Sequence, residues 1–177
     1  MSTDDEARPA ARLTVLAGPS GSGRESVVEL VRARSPSVWI PVPATTRPRR
    51  EREVDGEDRV FLAPAEFDRR LAAGELLEWS RAGPYRRGTP YPPLRTRLDA
   101  GRPVLLPLDV SGAQAVRARL PDARLVLLIP PGRRPDAAVA ATFEHTLTHD
   151  RADRVADELV GLLGSSYPDP AWSRVRG

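Results

Sequence analysis

Cysteine and lysine are both absent from this chain, and each absence narrows the interpretation. Without cysteine there are no disulfides and no thiolate metal sites, and nothing indicates an oxidising compartment. The 27 basic residues are therefore all arginine. A net charge of +3, with acidic residues interspersed among the arginines, does not produce the one-sided basic face that nucleic-acid binding needs.

Long hydrophobic runs are missing as well. No apolar run approaches membrane-spanning length, and the acidic, polar start MSTDDEARPAA is unlike a signal peptide. We therefore expect a cytoplasmic protein with neither a membrane nor a nucleic acid as partner. With 177 residues, 40% hydrophobic and 29% charged, the chain fits one globular domain that can bury a core.

Strand and helix patterns alternate along the chain. The apolar run RLTVLA predicts a strand that ends at a glycine-rich loop, and RESVVELVRAR then predicts a helix. Further strands are predicted at SVWIPV, at ELLEWS (followed by a turn at AGPYRRG), at RPVLLPLDV and at ARLVLLI. Short helices are predicted at PAEFDRRLAAG, at 94–100 and at SGAQAVRARL, with Ser111 as N-cap, and a final amphipathic helix at DRADRVADELVGLLG. This alternation favours an α/β fold with a mostly parallel sheet between helices.

The stretch LAGPSGSGRESVV has the composition of a loop that wraps nucleotide phosphates. Strand, glycine loop and helix is the context that such a motif demands, and the backbone amides of residues 21–26 would hold phosphate oxygens at a helix N-terminus. In the pattern G-x-x-G-x-G-K-x-[ST], arginine replaces the lysine, so the predicted phosphate loop consists of Gly18, Gly21, Ser22, Gly23, Arg24 and Ser26.

Several further segments, taken in order, resemble the guanylate kinase family. The strongest are TTRPRR, REVDG, GTP and DVSGA, and the likeness resumes at FEHTLTHDRADRVADELVGLL. The resemblance implies a P-loop NTPase-type three-layer α/β/α domain over residues 12–164. It would consist of a core (12–40 and 93–164) and an inserted GMP-binding subdomain (41–92), flanked by a disordered tail at 1–11 and a C-terminal tail at 165–177.

The same resemblance implies transfer of a phosphoryl group from ATP to GMP, with magnesium accompanying the ATP. Arg47 and Arg50 would grip the acceptor phosphate, and Arg59 and Arg87 stand where two tyrosines normally bond it. The guanine base would donate its N1 and N2 hydrogens to Glu78 and Asp109 and accept a hydrogen bond at O6 from Thr89. Ser26 would be a ligand of the magnesium ion, and Arg24 and Arg47 are the candidate catalytic residues.

The sequence departs from the family pattern mainly on the ATP side. Arg24 replaces a lysine, Pro107 stands where the first aspartate of a D-x-D motif is usual, and the arginine-rich lid is missing or very short at 130–142. These changes count against ATP binding and predict GMP phosphorylation that is weak or lost. The leading hypothesis is therefore a pseudokinase-like protein that binds GMP or a more phosphorylated guanine nucleotide.

Two other functions remain open: an active guanylate kinase or related small-phosphate kinase, and a non-catalytic module that recognises phosphorylated ligands. Individual residues also have plainer interpretations. The arginines at 47–52 could be a solvated charged loop, Glu78 could face water, and Asp109 could only cap a helix. We expect Trp39 and Trp79 to lie in the core and the two histidines, His145 and His149, to be incidental. The sequence leaves the oligomeric state open.

Overall fold

The computed structural model describes residues 12–165, so the predicted tails at 1–11 and beyond residue 165 lie outside it. Within that part of the chain there are eight strands: β1 Leu13–Ala17, β2 Ala44–Thr45, β3 Val60–Phe61, β4 Leu76–Ala82, β5 Tyr85–Pro90, β6 Val104–Leu108, β7 Arg124–Ile129 and β8 His145–Thr148. The helices in the same residues are α1 Arg24–Arg34, α2 Pro64–Ala72, α3 Tyr91–Asp99, α4 Val110–Arg119, α5 Ala137–Ala140 and α6 Ala152–Ser165.

The main sheet is parallel throughout and has the strand order β6-β1-β7-β8. Strands β1, β6 and β7 are nearly continuous apolar runs because both of their faces are covered, as expected for parallel sheets, whereas the edge strand β8 is more polar. Strand β1 alternates between the two sides. Val15 faces the cluster that packs on α3 and α4, whereas Leu16 faces the cluster that packs on α1 and α6. The predicted α/β architecture, with a mostly parallel sheet between two helical layers, is confirmed.

The segment SVWIPV does not form the strand that its apolar residues predict. Only Trp39 pairs with the sheet, through a bridge to Val104 in which the Trp39 N–H donates to the Pro103 carbonyl at 2.8 Å. Pro41 and Pro43 follow, and each lacks the N–H that a ladder would need. Strand β6, which contains Pro107, is the last full strand on its side of the sheet, a position where a proline is tolerated.

A smaller second sheet has the order β3-β2-β5-β4 and lies between residues 44 and 90. Strands β4 and β5 form a hairpin across Gly83, which has φ +61°, so the predicted turn AGPYRRG is too long and most of it is strand β5. The division into core and GMP-binding subdomain stays a prediction.

Two helix starts also differ from the expectation. Helix α3 begins at Tyr91 rather than at 94, because Pro92 and Pro93 occupy first-turn positions where no N–H is required. Helix α4 is capped by Asp109 rather than Ser111. No helix in the described part of the chain has both the length and the apolar character needed to cross a bilayer.

Candidate functional site

The glycine loop between β1 and α1 leaves the start of the helix open. Gly21 and Gly23 have φ values of +78° and +82°, a left-handed conformation that side chains with a Cβ rarely adopt. Gly23 is the N-cap of α1, and no side chain caps the helix. The first amides of α1 are therefore available to an anion, which the helix dipole also favours.

The loop is packed tightly at its base. A Cβ on Gly18 would lie 2.6 Å from both the Leu128 carbonyl oxygen and the Ser22 Oγ, so only glycine fits there. Ser22 is 2% exposed, and its buried hydroxyl has no hydrogen-bond partner among residues 12–165. Buried polar atoms are nearly always satisfied, so this unpaired hydroxyl in a phosphate-type loop indicates a position where a ligand completes the bonding.

His149 also contacts this loop, which the sequence analysis did not predict. It follows β8 at the same edge of the sheet as the glycine loop, and a Cβ on Gly23 would lie within 2.7 Å of its ring. Its Nε2 atom is buried without a hydrogen-bond partner. The position of His149 directly after a strand could have predicted this contact, because the carboxyl ends of parallel strands meet at the same edge of a sheet. Among the described residues, no group of three or more His, Cys, Asp or Glu side chains could hold a metal ion.

A cleft of about 360 Å³ lies between α1, the carboxyl end of β6 and the second sheet. This volume suits a small-molecule ligand. The structure brings five of the predicted site residues together along its walls: Arg24, Arg59, Glu78, Arg87 and Thr89. Pro107 lines the same cleft, so the wall at that position presents a proline ring instead of a carboxylate.

Glu78 is a buried carboxylate in the cleft wall. It is 6% exposed and accepts a 2.7 Å hydrogen bond from the Thr89 hydroxyl, so the interpretation that it faces water is wrong. The register of β4 and β5 shifts between Leu76 and Trp79, which indicates a bulge opposite Thr89. The bulge turns Glu78 inward and leaves Trp79 41% exposed, contrary to its predicted core position. Burial raises the pKa of Glu78, and the Thr89 bond partly opposes that shift.

Thr89 therefore orients Glu78. A hydroxyl has one hydrogen, and in this structure that hydrogen is donated to the Glu78 carboxylate. The predicted donation from Thr89 to guanine O6 would require the hydroxyl to rotate away from this partner.

Asp109 performs the capping role that was considered for it, because its Oδ1 accepts from the Gly112 N–H at 2.7 Å. It is also a neighbour of Glu78. A Cβ on Gly112 would lie 3.0 Å from Asp109 Oδ1 and 3.4 Å from Glu78 Oε2. A carboxylate has several lone pairs, so capping leaves Asp109 able to accept a further hydrogen bond from a ligand.

Arg47 and Arg50 do not line the cleft; they lie in the loop after β2. Arg47 forms a bidentate ion pair with Glu53 at 2.7 and 2.9 Å, and the Arg50 backbone N–H donates to the same carboxylate. The hydrogen bond from Arg47 lowers the pKa of Glu53 to about 2. The interpretation of this run as a solvated charged loop fits Arg50, which is exposed, whereas the paired Arg47 side chain is only 19% exposed.

Comparison with known proteins shows the family to which this chain belongs. The family model for guanylate kinase matches residues 10–158 of the chain. The chain belongs to the guanylate kinase family. The guanylate kinase of Thermobifida fusca is 43% identical, covering 87% of this chain and 91% of its own length. That of Streptomyces coelicolor is 40% identical, covering 89% and 91%. The crystal structure of guanylate kinase from Anaplasma phagocytophilum has a TM-score of 0.68 at 24% identity, covering 89% of this chain and 87% of that one, and shares its fold.

Magnesium is the metal that guanylate kinases are expected to use with ATP, and Ser26 is the predicted protein ligand. Its exposed hydroxyl lies in the first turn of α1 and donates to the Gly23 carbonyl at 2.9 Å. The oxygen lone pairs remain free to meet a cation. Magnesium commonly binds through nucleotide phosphates, water and only one or two protein groups. The residues present therefore fit a metal ion that is held mainly by the nucleotide.

Proposed function

We propose that this guanylate kinase family member binds GMP in the cleft and phosphorylates it with ATP. An oxygen of the GMP phosphate would attack the γ-phosphorus of ATP, and the bond to the β-phosphate oxygen would break, which yields GDP and ADP. The observation that carries the proposal is the buried carboxylate of Glu78, held by Thr89 beside Asp109, in a cleft that is also lined by Arg24, the first residue after the glycine loop.

Guanine recognition follows from the chemistry of this carboxylate pair. Guanine presents hydrogen-bond donors at N1 and N2, which match two acceptor side chains. Adenine has no donor at N1 or C2, so it would leave buried carboxylates unpaired, and unpaired buried groups are costly. Thr89 fixes the orientation of Glu78 before the base arrives, which lowers the ordering cost of binding.

On the other side of the cleft, the loop amides and Ser22 would hold the phosphates of ATP at the start of α1. Bound magnesium would supply positive charge to the phosphate oxygens as negative charge moves between them. Positioning and electrostatic stabilisation account for most of the catalysis in such transfers. The loop, in which Gly18 packs against Ser22 and β7, would therefore contribute by holding the phosphates of ATP in place.

A second candidate is a GMP-binding protein with weak or absent kinase activity. Three features support it: Arg24 in place of lysine, Pro107 in the cleft wall, and a segment between β7 and β8 that contains no element longer than the four-residue α5. With Arg24, Arg59 and Arg87 in the cleft, this candidate predicts tighter binding of GDP or GTP than of GMP. The names of the curated relatives support the active enzyme at least as well.

A coupled assay of ADP release separates the two candidates, with AMP as the matched acceptor control. The active enzyme predicts GMP-dependent turnover within the ordinary range of about 1 to 10³ per second and little turnover with AMP. GMP binding by calorimetry without turnover would support the second candidate. Absence of both binding and turnover would contradict the proposal, and binding of a phosphopeptide instead would point to a recognition module.

A further inference from the structure

The arginines of the cleft lack the ion pairs that about half of the other arginines in residues 12–165 form. Arginines outside the cleft that pair with a nearby carboxylate include Arg47, Arg69, Arg70, Arg86, Arg117 and Arg154. Within residues 12–165, no carboxylate lies at ion-pair distance from the guanidinium of Arg24, Arg59 or Arg87. Among the described residues, the Arg87 guanidinium donates to the Ser80 hydroxyl at 3.3 Å. The cleft therefore holds guanidinium groups that attract nearby carboxylates such as Asp109 and Glu78 but form no ion pair with a described one.

Two of these guanidinium groups share one cleft. Arg24 at the start of α1 and Arg87 on β5 both line it, so their positive charges repel each other across it. Like charges near one another in a partly buried cleft destabilise the ligand-free state. An anion between them would reverse that repulsion and could accept bidentate hydrogen bonds from both.

The location of Arg24 decides which anion this is. Arg24 begins α1, immediately after the glycine loop, and a lysine there would be expected to serve the phosphates of ATP. Its side chain instead lines the same cleft as Glu78 and Thr89, across from Arg87 on β5. The buried carboxylate sets the position of the guanine base, so the phosphate near Arg24 is the one attached to that nucleotide.

We propose that Arg24 binds the acceptor phosphate of GMP together with Arg87, rather than the phosphates of ATP. The inference rests on the proposed binding of GMP in the cleft. It assigns Arg24 to GMP, whereas the lysine that is usual at this position would be expected to contact ATP. Arg24 is then a GMP-specificity residue, and the ATP side relies on backbone amides, Ser22 and Ser26.

The test is calorimetric titration of GMP into the full chain without ATP or magnesium. Arg24→Ala should weaken GMP binding about 10- to 100-fold, as expected for a charge-assisted hydrogen bond, and Arg24→Lys should restore part of the affinity. Arg95→Ala is the matched control, because Arg95 is exposed on α3 and lies outside the cleft. Arg87→Ala should weaken GMP binding to a similar extent.

The outcomes separate this inference from the proposed function. If the wild-type chain binds GMP and Arg24→Ala binds it within twofold, while ATP binding weakens, the inference is wrong and the GMP site stands. If the wild-type chain binds no GMP, both are wrong. Thermal unfolding checks each variant. Should Arg24→Ala lower the Tm by more than about 5 °C, Arg24→Gln, which retains a helix-favouring polar side chain, gives the deciding titration.

Discussion

Replacing Glu78 by glutamine removes one negative charge from the cleft wall without changing the size of the side chain. Because Glu78 is 6% exposed and accepts the Thr89 hydrogen bond, the variant should keep its position and its partner, since an amide oxygen also accepts. The change therefore removes the charge and replaces one acceptor oxygen by a donor, while the size of the side chain stays the same. Guanine would meet an amide NH₂ group where it met a carboxylate oxygen, so a donor would face a donor.

The size of the effect on binding follows from the hydrogen bonds lost. A hydrogen bond to a charged group contributes about 1.5–3 kcal/mol, and at least one such bond from guanine would be lost while a second is weakened. We expect a loss of about 3 kcal/mol, which corresponds to roughly 100-fold in the dissociation constant of GMP. AMP binding, already weak, should change little, so the preference of the protein for guanine should fall.

The same variant should change folding stability in a pH-dependent way. Burial raises the pKa of Glu78 above its ordinary value of 4.5, so the folded state holds this proton more strongly than the unfolded state. Wild-type stability from this group is therefore greatest at low pH and is lost as pH rises through the raised folded pKa. Glu78→Gln lacks this loss, so its stability relative to wild type should increase between pH 4 and pH 8.

Two measurements check this reasoning. Calorimetric titrations with GMP and AMP give the change in affinity, and urea denaturation across the pH range gives the change in unfolding free energy. A GMP affinity within about threefold of wild type would refute the assignment of Glu78 to the guanine base. A variant that becomes less stable relative to wild type as pH rises would refute the claim that the carboxylate is buried at a cost.

Three further variants test other contacts. Gly23→Ala should lower the unfolding free energy, measured by urea denaturation, by more than Gly132→Ala does. Both glycines have positive φ, so each alanine should cost about 1–2 kcal/mol of backbone strain. A Cβ at Gly23 would in addition lie within 2.7 Å of the His149 ring, whereas a Cβ at Gly132 would meet open space. Equal losses would contradict that contact. Asp109→Asn should keep the α4 cap and its stability yet weaken GMP binding, whereas Asp109→Ala should also lose about 1 kcal/mol; unchanged GMP binding in both would remove Asp109 from the site. The pKa of Glu53 is lowered to about 2, so its stabilising effect is present above the ordinary glutamate pKa and is lost as pH falls. Glu53→Gln should therefore be less stable than wild type at pH 7, with the difference closing toward pH 2 in thermal unfolding.

Local sequence patterns predicted the elements that depend on near neighbours. The strand, glycine loop and helix of residues 13–34 and the final helix α6 follow from apolar periodicity and from glycines that must adopt positive φ. Strand β5 was missed because YRRGTP has no alternation of apolar and polar residues, and its pairing with β4 and β2 is what makes it a strand. The strand predicted at SVWIPV was wrong for the opposite reason: its residues are apolar, but Pro41 within it and Pro43 after it lack the N–H groups that a strand ladder needs.

Motif likeness named five of the residues that line the cleft, but it could not predict which way their side chains point. Glu78 and Trp79 are adjacent, and hydrophobicity alone places the tryptophan inside; the bulge in β4 does the reverse. Likewise, His149 and Gly23 come into contact because they follow two strands that end at the same edge of the main sheet. Arg24 and Arg87 interact because α1 packs near the second sheet. These features depend on residues far apart in the chain, whose partners are set by strand register and by the packing of one sheet against another. Periodicity and turn chemistry act over a few residues, so they determine which elements form, whereas the direction, burial and charge environment of each site residue exist only once those elements have packed.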